Sequence, residues 1–253
     1  MRHILLFATF FLLTIVWDVE FRFRYIFRGP HFPERIARRV SAVPRRILSL
    51  TRFFLDFDVI YEIKKGLDIP KHCLIVSNHQ SILDIPLMAY CFPENNVRFT
   101  AKHTLFHHVP LVSQVLRMQR HARIDRTGKF SKTMKELERL ARESAAGLSP
   151  VIFPEGTRSR SGELGIFHAG AIRKIETITP LPILGVALDG GYKISKMREL
   201  LGSLRGKRYR LKALSVYPPP GSKADIERVI FQIREEIDDQ LAIWRSGELH
   251  GDG

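Results

Sequence analysis

The sequence predicts an α/β fold: a central mixed sheet flanked by helices, preceded by a hydrophobic, membrane-anchoring helical segment. Three observations lead there. Short apolar runs alternate along the chain with longer segments of helical period, the pattern of strands covered by helices. An uncharged run from Ile4 to Trp17 stands ahead of them. And 45% of the 253 residues are hydrophobic, enough for a packed core and too many for a disordered basic tail.

The elements follow in order. Ile4–Trp17 (ILLFATFFLLTIVW) would be about 21 Å long as a helix, short of the roughly 30 Å hydrocarbon core of a bilayer. Continuing it brings in Asp18, Glu20, Arg22 and Arg24, which suit a headgroup layer better than mid-bilayer. Either a tilted span in a thinned bilayer or a helix sunk into one leaflet fits; an ordinary core helix is the plainer alternative. Strand signals follow at Cys73–Val76, Val97–Thr100, Ala122–Ile124, Val151–Phe153, Ile183–Ala187 and Arg210–Tyr217. Helical signals fall at Ile85–Tyr90, Leu111–Met118, Lys129–Ala146, Ala169–Thr177 and Ile194–Leu201. The last helix, Lys223–Trp244, carries a stripe at 3.6-residue spacing: Ile226, Val229, Ile230, Ile233, Ile237, Leu241 and Trp244. The expected division is 1–52 as anchor and basic interfacial segment, and 53–253 as the catalytic domain.

Charge narrows the partners. Forty Lys+Arg against twenty-six Asp+Glu give +14, which calls for something anionic. Seven arginines lie between Arg28 and Arg52 against the single acid Glu34, and a second basic block runs from Lys193 to Lys212. After an apolar anchor, both blocks read as faces for anionic membrane lipids, each charge contributing on the order of 1 kcal/mol near the surface. If the first segment spans, the arginine excess between Arg28 and Arg52 would also hold the following chain on the cytoplasmic side. Nucleic acid is not expected, since no zinc-finger or RNA-binding aromatic pattern accompanies the charge. Two cysteines, Cys73 and Cys91, cannot frame a disulfide scaffold and suggest buried thiols in a reducing compartment. His103 and His107 lack a third ligand at suggestive spacing, so no metal is expected.

Two constellations carry chemistry. The apolar run 73–76 ends in Ser77-Asn78-His79-Gln80-Ser81-Ile82-Leu83-Asp84-Ile85-Pro86. On one regular helix His79 and Asp84 would point about 140° apart, so they meet only if the chain turns between them. If it does, the carboxylate can hold one imidazole nitrogen and leave the other as a base. The alternatives are a helix N-cap for Asp84 and a loop histidine satisfied by backbone. The second constellation is Val151-Ile152-Phe153-Pro154-Glu155-Gly156-Thr157-Arg158-Ser159. Here Gly156 would admit a ligand close to the backbone, Thr157 could donate, and Arg158 could grip an anionic oxygen pair. Glu155 could orient the arginine or accept from a substrate hydroxyl.

Together, His-x-x-x-x-Asp at a strand end and Phe-Pro-Glu-Gly-Thr-Arg-Ser some seventy residues later resemble the glycerolipid acyltransferases, most of all those that acylate lysophosphatidic acid. Arg120–Arg126 is similar to that family's second block, Pro180–Ile183 to its fourth, and Ala101–Leu105 with Val109-Pro110 to its lysine-leucine-proline stretch. The resemblance spans roughly residues 60 to 217. It departs where Arg120, His121 and Arg123 stand in place of aromatic or aliphatic residues. It implies acyl transfer from a thioester to an alcohol, with His79 as base and Asp84 orienting it. Arg126, Lys102, Glu155, Gly156, Thr157 and Arg158 would hold the acceptor. No cofactor is implied, only acyl-CoA or acyl carrier protein as co-substrate. The absence of a Gly-x-Ser-x-Gly elbow argues for direct attack over an acyl-enzyme. Acylation of a different lyso-lipid, or non-catalytic lipid binding at a membrane surface, are the competing readings.

Overall fold

The computed structural model describes residues 2–26, 42–46, 48–49, 53, 58–107, 109, 112–125, 130–194 and 208–249. Seven strands form one mixed sheet in the order β1-β7-β6-β2-β5-β3-β4. They are β1 (Asp58–Ile63), β2 (Leu74–Ser77), β3 (Val97–Lys102), β4 (Ala122–Ile124), β5 (Ser149–Ile152), β6 (Ile183–Asp189) and β7 (Arg208–Tyr217). Strands β2 to β6 are mutually parallel; β7 runs antiparallel to β6, and β1 runs parallel to β7. The helices are α1 (Arg2–Ile26), α2 (Asp84–Cys91), α3 (Val112–Met118), α4 (Phe130–Ser144), α5 (Gly170–Ile178) and α6 (Lys223–Leu249), with short 3-10 turns at His103–Phe106 and Gly191–Ile194.

The central strands read as unbroken apolar runs because both sheet faces are covered. Successive side chains of β2 go to opposite cores: Ile75 joins Leu87, Met88 and Phe99 on one face, while Leu74 and Val76 join Leu137, Ile172 and Ile233 on the other. All seven residues of the α6 stripe are buried, in the same core cluster as Leu74, Val76 and Ile183. Each fully buried Ile, Leu or Val contributes about 1.5–3 kcal/mol, so α6 is a principal clamp on the sheet.

Two points differ from expectation, and one expected element falls outside the described residues. Strand β1 was not anticipated. It is an edge strand whose residues are mostly exposed, so its pattern lacks a buried face. The second basic block is not uniformly a surface: β7 carries Arg210 into the fold, 8% exposed, where Nη1 donates to the Trp244 carbonyl at 3.0 Å. The expected helix Ile194–Leu201 lies outside the described residues apart from Ile194.

The N-terminal helix runs well past Trp17. An i,i+4 ion pair between Asp18 and Arg22 at 2.6 Å carries it through the first charges. Thr14, Trp17 and Asp18 are buried on one side, with the Arg46 guanidinium 5.6 Å from the Trp17 ring centre. Leu5, Phe11, Leu12, Ile15, Val16, Val19 and Phe23 are exposed along the other side. No helix among the described residues is long and apolar enough to cross a membrane. Most of the stretch Arg28–Arg52 falls outside the described residues.

Candidate active site

Register puts the first two site residues side by side. β2 and β5 are parallel neighbours with Val76 opposite Ile152, so His79 and Glu155, each three residues further on, leave the sheet together. Crevices at the carboxyl ends of parallel strands are where α/β sheets hold ligands. The chain after β2 turns at once. Asn78 fixes the turn by exchanging two hydrogen bonds with the Leu188 backbone, both 2.8 Å. His79 then faces back toward the start of α2.

Asp84 opens α2 and is fully buried. Its Oδ2 accepts from His79 Nδ1 at 2.6 Å, from the Gln80 amide at 2.7 Å and from the Ser81 amide at 2.9 Å. Its Oδ1 accepts from the Tyr209 hydroxyl. A carboxylate taken out of water requires such donors. Asp84 is therefore not an N-cap: Leu83 holds that position without a side-chain bond, and Asp84 turns its carboxylate back onto the preceding loop. The 140° separation on a helix is removed because residues 79–81 are a turn around that carboxylate. With Nδ1 engaged, Nε2 is the imidazole nitrogen left to act as a base. The ring stacks on Phe153, centres 4.2 Å apart and planes 15° apart, and its side chain is 17% exposed. The histidine is fixed and still reachable.

Glu155 holds this turn from the neighbouring strand. Its Oε1 accepts from the His79 amide at 2.8 Å and its Oε2 from the Gly165 amide at 3.0 Å. The Ser159 amide donates to the His79 carbonyl at 2.7 Å. Burial pushes the Glu155 carboxyl above the usual carboxylate range, and the two amide bonds oppose that. Glu155 thus spends both oxygens on backbone rather than reaching for Arg158.

The Acyltransferase family model matches residues 60–189, just over half of the chain, and takes in both constellations. The chain belongs to the Acyltransferase family. Among curated acyltransferases it is 36% identical over 118 residues to a 1-acyl-sn-glycerol-3-phosphate acyltransferase of Cocos nucifera, covering 46% of this chain and 37% of that protein. It is also 36% identical over 100 residues to the human 1-acyl-sn-glycerol-3-phosphate acyltransferase beta, covering 39% of this chain and 35% of the relative. The chain spans less than half the length of the curated relatives it matches. In fold it is similar to the crystal structure of the 1-acyl-sn-glycerophosphate (LPA) acyltransferase PlsC from Thermotoga maritima. The TM-score is 0.72 at 19% identity, over 95% of both chains.

In this acyltransferase-family chain the structure brings together some of the expected site residues and leaves others apart. His79, Asp84 and Glu155 are directly linked. Gly156 takes φ +67° with open space where a Cβ would sit, so the glycine serves the backbone turn. Thr157 and Arg158 are exposed beside it. Lys102 is exposed at the carboxyl end of β3, the same edge of the sheet. Arg126 lies outside the described residues. The atypical residues of the second block are engaged in the fold itself. His121 Nδ1 accepts from the Phe99 amide at 2.9 Å, and burial among Arg98 and Arg139 drives its pKa down to about 3. Arg120 pairs with Glu143 at 2.5 Å, and the Arg123 guanidinium sits 4.7 Å from the Phe106 ring centre.

Sequence reasoning missed Tyr209, which sits inside the basic block and so reads as part of a charged run. It also missed the support behind the turn. Gln80 Nε2 donates to Asp189 at 3.3 Å, and Arg245 of α6 bonds both Asp189 at 2.9 Å and the Gly162 carbonyl at 2.8 Å. Arg245 follows Trp244 at the end of the legible stripe, but nothing in its spacing points to a partner 56 residues upstream.

Proposed function

We propose that this chain transfers a fatty acyl group from an acyl thioester to the sn-2 hydroxyl of 1-acylglycerol-3-phosphate, giving phosphatidic acid. The observation that carries the reading is the His79–Asp84 pair at a sheet edge, 2.6 Å apart and locked to the Glu155 turn. The names of the relatives supply the acceptor. In the proposed step His79 Nε2 takes the hydroxyl proton as the oxygen attacks the thioester carbonyl. The new C–O bond forms, the C–S bond breaks, and the proton passes to the departing thiolate. Asp84 fixes the tautomer and stabilises the imidazolium, the work such a carboxylate does beside any histidine base. General-base catalysis of this kind contributes about 10²- to 10⁴-fold in rate. Arg158, Thr157, Lys102 and Arg126 would hold the acceptor's phosphate and glycerol. Glu155 and Gly156 would shape the turn that presents them.

The exposed apolar side of α1 would lie in one leaflet of a membrane, with the basic segment up to residue 52 against anionic headgroups and residues 53–253 on the cytoplasmic side. Seven large apolar side chains along one helix face support this, since isolated exposed apolar residues need no partner but a continuous stripe does. The donor would be acyl-CoA or acyl carrier protein, both anionic and matched to the +14 charge. The test is turnover of labelled lysophosphatidic acid with an acyl thioester by detergent-solubilised protein and by His79→Ala. Phosphatidic acid from the first, reduced at least about a hundredfold in the second, is the expected result. Equal turnover by both removes the base mechanism.

A further inference from the structure

We infer that Tyr209 is a positioning residue for the catalytic pair: its hydroxyl holds the far oxygen of Asp84, so that Oδ2 stays turned to the imidazole. The inference rests on His79 acting as the base. Three observations converge on it. First, the donors around Asp84 are divided unevenly. Oδ2 carries His79 Nδ1 and two backbone amides, while the Tyr209 hydroxyl donates to Oδ1. A carboxylate held from one side alone can pivot about its Cβ–Cγ bond; a donor on the second oxygen fixes its plane. Second, Tyr209 is itself immovable. Its ring is fully buried, and its backbone lies between two strands, paired with Val59 of β1 and adjacent to the β6–β7 pairing that begins at Arg210 and Asp189. Third, the fold is shaped around the hydroxyl. A Cβ at Gly191 would stand 2.5 Å from that oxygen and 2.8 Å from Cζ, so the 3-10 turn after β6 closes over the phenol only because residue 191 has no side chain.

A buried phenol bonded to a carboxylate could be a purely structural pair, and the experiment must separate the two. In a structural pair, loss of the hydroxyl lowers stability and leaves each folded molecule as fast as before. In a positioning role the loss enters the reaction. The freed Oδ1 makes the pair hold its proton more tightly, so the acid limb of the kcat profile moves to higher pH. The misaligned imidazole lowers kcat, and acceptor and thioester KM stay where they were because neither substrate touches Tyr209.

The variants are Tyr209→Phe and Gly191→Ala in the full chain, assayed beside wild type and His79→Ala for kcat, both KM values, the kcat–pH profile and the thermal midpoint. The expected result is a fall in kcat of about 10- to 100-fold for Tyr209→Phe, the range for losing a hydrogen bond to a charged acceptor, with KM within about twofold. Its acid limb moves up in pH. Gly191→Ala, which keeps the hydroxyl but displaces it, moves kcat and the limb the same way, and it decides the matter if Tyr209→Phe does not fold. A lower melting temperature with wild-type kcat and an unmoved acid limb in the folded variant overturns the inference. Full activity in His79→Ala instead removes the base reading on which it stands, a failure seen without either Tyr209 or Gly191 being touched.

Discussion

Replacing Glu155 by Gln separates two roles that the sequence alone leaves mixed. In the structure Oε1 takes the His79 amide at 2.8 Å and Oε2 the Gly165 amide at 3.0 Å. Glutamine offers one carbonyl oxygen, so one amide keeps an acceptor and the other meets an NH2 group, donor against donor. A bond to a charged acceptor contributes about 1.5–3 kcal/mol when buried, and the half-buried setting lets water recover part of that. Roughly 1–2 kcal/mol is then left to be relieved by movement of the turn at 79–81 or the loop at 163–165. The imidazole hangs from the backbone that moves, and a misplacement near 1 Å costs on the order of 10²-fold in rate. The expected outcome is therefore kcat down by about a hundredfold, with acceptor KM changed less than about threefold. Steady-state rates are read from labelled phosphatidic acid across a series of lysophosphatidic acid concentrations. If Glu155 instead gripped the acceptor's hydroxyls, KM would climb and saturating substrate would restore the rate. That pattern would refute the clamp.

Asp84→Asn should fall further, by about 10³- to 10⁴-fold in kcat, because the amide offers one acceptor where four donors converge and sets the wrong imidazole tautomer; rapid-quench or steady-state turnover checks it. Glu176 gives a stability prediction. Burial pushes its carboxyl up to about 7, Oε2 accepts from the Leu181 amide at 3.0 Å, and Oε1 is buried without a hydrogen-bond partner. The folded state then binds this proton more tightly than the unfolded chain, so stability is fullest below about pH 4.5 and falls as pH rises through 7. Glu176→Gln should accordingly raise the melting temperature by about 3–8 °C at pH 8 and leave it unchanged at pH 4, as followed by circular dichroism. Cys73 and Cys91 are both free and buried, and burial pushes each thiol up to about 12. A thiol reagent at neutral pH should titrate neither in the native protein and both in denaturant; fast native labelling would contradict this burial.

How far the sequence could be read depended on whether a feature was local. The α6 stripe needs only helical period, and every residue of it is buried as expected. The strands β2, β5 and β6 announce themselves because both faces are covered and each reads as an apolar run. The approach of His79 to Asp84 was legible as a requirement for a turn, and the turn is there. What supports the pair was not legible. Tyr209 reaches Asp84 across 125 residues, and its neighbours Arg208 and Arg210 disguise it as part of a basic surface. Glu155 read as a ligand for substrate or arginine because nothing in the sequence shows that parallel register sets it level with the His79 amide. Edge strand β1 escaped because its pairing with β7, rather than its own pattern, makes it a strand.

The parallel pair β1–β7 has a consequence for how the protein is made. Asp58 pairs with Arg208, so this edge closes only after roughly 150 intervening residues have been synthesised. A nascent chain ending near Asp189 already contains His79, Asp84 and Glu155, yet β1 has no strand to join and the flank of β6 stands open. Such an unpaired edge is a template for association with other chains. Chaperone capture should therefore peak late in translation, after His79 has emerged but before β7 leaves the ribosome. Under the proposed function, turnover would appear only once β7 and α6 have been added to the sheet.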